Sequence, residues 1–107
     1  MIKLTALYGQ PQDPAAFDRH YREVHGPLAL KMPGLQGFTT EKPAALPEGK
    51  SPYYLIASLY WANMEALQQA FQSPEGQAAA DDLQNFATGG VTLLAGEVEV
   101  LAPVSLS

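Results

Sequence analysis

Apolar and polar residues alternate from Ile2 to Tyr8, with Ile2, Leu4, Ala6 and Tyr8 on one side and Lys3, Thr5 and Leu7 on the other. A period of two predicts a first strand. Gly9-Gln10-Pro11-Gln12 reads as a turn. Asp13 followed by Pro14 is a helix start: a side-chain cap, then a proline at the first helical position. Phe17, Tyr21, Val24 and Leu28 then recur at spacings of four, three and four, the stripe of an amphipathic helix. Arg19 and Glu23 form an exposed i,i+4 pair on it. Gly26-Pro27 predicts a break near His25, because proline lacks an N–H and disfavours α geometry in the residue before it. Leu28 to Met32 reads as one further short turn, ended by Pro33-Gly34.

Leu35 to Lys42 reads as a second strand, and the proline-rich stretch from Pro43 to Pro52 as a hairpin loop. Tyr53 to Trp61 is the strongest strand, with apolar or aromatic residues on both faces, so both faces are expected to be covered. Asn63 caps a helix carrying Met64, Leu67 and Phe71. Ser73-Pro74-Glu75-Gly76 repeats the cap-then-proline signal and opens a helix carrying Ala79, Leu83 and Phe86, stopped by Gly89-Gly90. Val91 to Leu101 is the last strand, with Gly96 as a candidate bulge. The order β-α-β-β-α-β predicts an α+β, ferredoxin-like domain over residues 1–107, a four-stranded antiparallel sheet with helices on one face. That single layer leaves the other sheet face in water. A second copy would cover it, so the expected assembly is a homodimer with sheets face to face, a dimeric α/β barrel with a cavity either between each sheet and its helices or between the sheets.

Composition narrows the class. With 6 basic and 11 acidic residues the net charge is -5, which argues against nucleic acid or an anionic membrane surface as partner. No cysteine is present, so disulfides, thiolate metal sites and a cysteine nucleophile are excluded. No apolar run approaches the roughly 20 residues of a bilayer span. The start, Met1-Ile2-Lys3-Leu4, runs straight into a strand without the features of a secretory signal, and the expected compartment is the cytoplasm.

Both histidines, His20 and His25, lie in the first helical stretch. At a helix break His25 would sit by unpaired carbonyls that favour its cationic form. There it either moves a proton for a small substrate or donates to a carbonyl and locks the turn. Tyr21, four residues earlier, either positions His25 or is core. His20 lies five residues before His25, about 140° round an α-helix, so the pair makes no metal site, and His20 is expected to be solvated or packing. Tyr53, Tyr54, Tyr60 and Trp61 give the third strand an aromatic surface, for stacking an aromatic ligand or for core and dimer contacts. Tyr54, Tyr60 and Trp61, with Phe38 of the second strand, are the candidate pocket lining for a small apolar organic ligand. No Gly-rich phosphate loop leads from a strand into a helix, and no cofactor is expected.

The run Asp18-Arg19-His20-Tyr21-Arg22-Glu23-Val24-His25-Gly26-Pro27-Leu28-Ala29, with Met32-Pro33-Gly34-Leu35 and Ser73-Pro74-Glu75-Gly76, resembles the signature of the EthD family of dimeric α/β-barrel proteins. The resemblance covers essentially the whole domain. It implies the ferredoxin-like fold and the dimer. It also implies a range of activities: family labels read "oxidoreductase", and the wider superfamily includes cofactor-free monooxygenases, lactone isomerases, polyketide cyclases and haem-degrading enzymes, besides non-catalytic modules. Lactone-isomerase relatives are similar in using a histidine of this segment, but also a cysteine that this chain lacks. Asn63 beside Trp61 resembles a pair in haem-degrading relatives, yet the later axial histidine is missing, and Asn63 reads as a helix cap. The expectation is a ligand-binding dimer acting by acid–base or cofactor-free oxidative chemistry through His25 and Tyr21, or else a non-catalytic ligand-binding or assembly module.

Overall fold

The computed structural model describes residues 1–106. Its elements are β1 (Ile2–Gly9), α1 (Pro14–His20), a π-helical turn (Tyr21–His25), α2 (Gly26–Leu30), β2 (Gly37–Glu41), β3 (Tyr53–Trp61), α3 (Met64–Gln72), α4 (Pro74–Phe86) and β4 (Val91–Glu97). The strands form one antiparallel sheet in the order β2-β3-β1-β4, with the helices packed on one face. This is the ferredoxin-like arrangement expected from the alternation of patterns. The second and last strands are shorter than their sequence patterns.

The alternation in β1 is the fold's organising feature. Ile2, Leu4, Ala6 and Tyr8 are all buried, and they pair across the ladder with Trp61, Leu59, Ala57 and Leu55 of β3, which are buried too. These eight side chains form the floor on which the helices sit. Trp61 and Tyr8 are its largest fully buried members, each worth about 2–3 kcal/mol of transfer free energy. The opposite face carries Thr5, Leu7, Ile56, Tyr60 and Leu94, and Leu94 is 57% exposed.

The caps act as their side chains dictate. Asp13 accepts from the Ala16 amide, Asn63 from Ala66 and Ser73 from Gly76. The α3–α4 corner is tight enough that a Cβ at Gly76 would run into the Ala70 carbonyl, so the position takes only glycine.

One expectation is overturned. Gly26-Pro27 does not break the helix; α1, the π turn and α2 run continuously from 14 to 30. In the wide turn the Gly26 amide donates to the Tyr21 carbonyl, five residues back. Gly26 keeps helical geometry (φ -56, ψ -50) ahead of the proline. Having no Cβ, it escapes much of the clash that proline imposes on its predecessor. A Cβ there would come within 3.0 Å of the Tyr21 oxygen.

Candidate functional site

The wide turn changes which side chains share a face. In an α-helix residues five apart diverge, but where hydrogen bonds run i→i+5 they converge. His20 and His25, expected on different faces, therefore reach the same group, Asp82 of α4. Ala79, Asp82 and Phe86 recur at spacings of three and four along the buried stripe of that helix, and Asp82 is only 6% exposed.

Three donors satisfy the carboxylate. His20 Nε2 lies 2.9 and 3.0 Å from its two oxygens, and His25 Nδ1 lies 3.0 Å from Oδ2. Asn85 Nδ2 donates to Oδ1 at 3.0 Å. Burial works to raise the Asp82 pKa, but the hydrogen bonds from Asn85, His20 and His25 outweigh it and hold the carboxyl below its usual range. An ionised acceptor assigns the tautomer: His25 carries its proton on Nδ1, which leaves a lone pair on Nε2.

That lone pair points inward. Nε2 lies 3.4 Å from the Tyr8 hydroxyl, on the wall of a cavity between the sheet and the helices. Burial lowers the His25 pKa, Asp82 pulls the other way, and the outcome is below the ordinary histidine value. The expected preference for the cationic form is thus reversed, because the ring is buried in an unbroken helix instead of standing at a frayed end. Burial raises the Tyr8 phenol well above its ordinary value, and the neighbouring Tyr21 and Asp82 add to this. Burial also raises Tyr21, with the Tyr8 hydroxyl beside it as a partial offset. Both phenols stay protonated and able to donate. Phe86 packs against both imidazoles, with ring centroids 5.0 Å from His20 and 4.7 Å from His25.

The cavity measures about 50 Å³, and Tyr8, Tyr21, His25, Phe38, Leu59 and Leu83 are among its walls. That is room for a few waters or a very small molecule, well under the roughly 300–1,000 Å³ of organic-ligand sites. Of the residues singled out in the sequence, His25, Tyr21 and Phe38 meet here. Tyr54, Tyr60 and Trp61 lie elsewhere. Tyr54 stands at the edge of α1, its hydroxyl donating to Asp18 Oδ1 at 2.9 Å. Tyr60 faces the other side of the sheet, against Gly37. Trp61 is completely buried and donates its indole N–H to the Pro33 carbonyl at 3.0 Å.

His20 is neither free in solvent nor simply packed: it clamps Asp82 and lines an outer groove of about 360 Å³ with Arg19, Asn85 and Thr88. Asp82 and Tyr8 were missed as site residues. Their signal was present, a carboxylate on an apolar helical stripe and a phenol on the apolar side of a strand.

The sequence matches the EthD domain model over residues 9–90. The chain belongs to the EthD family. An uncharacterized 11.0 kDa protein from the thcB-thcC intergenic region of Rhodococcus erythropolis is 43% identical over 103 residues, 96% of this chain and 100% of that one. An EthD family protein from Bacillus halodurans, of known structure, is 42% identical, covers 92% of this chain and 99% of its own, and superposes with a TM-score of 0.87. A dimeric ferredoxin-like protein from Thermobifida fusca shares the fold at 12% identity, with a TM-score of 0.68 over 91% of this chain and 90% of its own. Among the described residues of this EthD protein, no helix is long and apolar enough to cross a membrane.

Proposed function

We propose that this EthD protein is a cofactor-free acid–base catalyst acting on a small organic molecule. The observation that carries the reading is His25: Nδ1 is anchored on a buried carboxylate and Nε2 is aimed into a cavity. A neutral imidazole so oriented is a general base. His25 Nε2 removes a proton from carbon or oxygen of the substrate, and Asp82 stabilises the imidazolium that forms. The Tyr8 hydroxyl donates to the charge left on the substrate, with Tyr21 as the adjoining wall. The same proton removal opens either an isomerisation or a cofactor-free oxidation by dioxygen. A non-catalytic dimeric assembly module is the second reading, and the cavity's small volume is the observation that favours it.

The test is deuterium uptake from heavy water into a panel of small ketones, keto acids and lactones, followed by NMR. Uptake that the native chain accelerates and His25→Ala does not supports a base. Equal uptake with both proteins, for every compound, contradicts it.

We infer further that the chain works as a homodimer. The bare sheet face, with Leu94 57% exposed, and the apolar tail, with Leu101 88% and Val104 81% exposed, are the surfaces for a second copy. Dimeric relatives of the same fold support this. Light scattering at micromolar concentration that returns the monomer mass of 11.5 kDa would overturn it.

A further inference from the structure

Tyr21 is a wall of two spaces. On its inner side is the His25 cavity; on its outer side is a surface cleft of about 220 Å³, lined by Phe17, Asp18, Tyr21, Arg22, Lys42 and Leu55. The inner space holds no more than a very small molecule, and the outer one is open to the surface. Only the two together approach the volume of an ordinary binding site.

The charges at the cleft are uneven. Both oxygens of Asp18 are engaged, one by the Tyr54 hydroxyl at 2.9 Å and the other by Lys42 Nζ at 2.9 Å. Lys42 also donates to the Tyr54 hydroxyl at 3.2 Å, and the trio closes on itself. Arg22 lines the same cleft and makes no ion pair among the described residues. The cleft therefore holds one satisfied carboxylate, Asp18, and two cations, Arg22 and Lys42, on a chain whose net charge is -5. A local cationic rim on an acidic protein selects anions, and a guanidinium holds a carboxylate through two parallel hydrogen bonds. Phe17, Tyr21 and Leu55 supply an apolar passage beneath it.

We propose that this cleft is the charged subsite of the His25 cavity and that the protein takes small aromatic or apolar carboxylates. The acid group rests on Arg22, Tyr21 turns aside to join the two spaces, and the body of the molecule reaches His25. This rests on the reading of His25 as the reacting group and adds the substrate class. It predicts that Arg22 discriminates by charge while His25 senses occupancy.

The test is an NMR titration with phenylacetate and with its uncharged isostere phenylacetamide, read at the Arg22 side chain, the Tyr21 ring and the His25 ring nitrogens. Phenylacetate binds about five- to tenfold more tightly than the amide and shifts all three signals. Arg22→Gln, at an exposed position that leaves the fold intact, brings the acid to the affinity of the amide, and Arg22→Lys restores part of the preference. Absence of phenylacetate binding, equal affinity for acid and amide, or a preference that survives Arg22→Gln would overturn the subsite. Shifts at Arg22 without any at the His25 ring would overturn the connection between the two spaces. Binding is read here without turnover, so failure of His25 as a base in the deuterium assay is distinguishable from failure of the cationic rim.

Discussion

His20 and His25 come from one helical stretch and bond the same carboxylate, yet their surroundings differ. The His20 side chain is 26% exposed beside an outer groove; that of His25 is 8% exposed on the wall of the small space between the sheet and the helices. Both rings lie against Phe86. What separates them is the environment of His25's second nitrogen, which meets the buried Tyr8 phenol in the small space between the sheet and the helices. A shared anchor thus makes one histidine a clamp and the other a candidate base. The role follows from what lies beyond the anchor, not from the anchor itself.

Removing each ring in turn is the strongest way to break this comparison. His25→Ala should reduce deuterium uptake by about 10²–10⁴-fold, the usual worth of a general base, whereas His20→Ala should cost less than about tenfold. Equal losses would make the two rings equivalent. Asp82→Ala strands three donors at once and should destabilise the fold by about 3 kcal/mol in urea unfolding. His20→Ala, with its more exposed ring, should cost about 1 kcal/mol.

The pH dependence of stability sharpens the same contrast. Because the folded-state pKa of His25 lies below its ordinary value of 6.5, the unfolded chain binds more protons than the folded one as pH falls past 6.5. Stability is therefore full above about 6.5 and declines on acidification until the folded-state ring protonates. His25→Gln should flatten that decline. The Asp82 contribution persists to lower pH, since its carboxyl is held below its ordinary 3.8. The smallest expected effect is Tyr8→Phe: the 3.4 Å contact to Nε2 is long, and its loss should cost under about 1 kcal/mol of stability.

The fold was legible because its signals are local and repeated. The alternation through Ile2–Tyr8, the caps at Asp13, Asn63 and Ser73, and the aromatic run of β3 all sit where their patterns place them. The site was half legible. His25, Tyr21 and Phe38 were found by their faces, but the third-strand aromatics were grouped by type although the strand sends Tyr60 and Trp61 to opposite faces of the sheet. The register shift beside Tyr54 sets that ring against Phe17 at the edge of α1. The Asp82 cluster was hidden by one assumption, an α-helical turn through residues 21–25. Sequence periodicity does not announce a π turn, and only that turn brings residues 20 and 25 to one carboxylate.

The most direct measurement is nitrogen-15 NMR of the two histidine rings across pH. His25 should appear as the Nδ1–H tautomer, with a non-protonated Nε2, and should become cationic only below the ordinary value of 6.5. A His25 ring protonated on Nε2 in its neutral form, or one that titrates above 6.5, would contradict the assignment of His25 as a buried base held by Asp82.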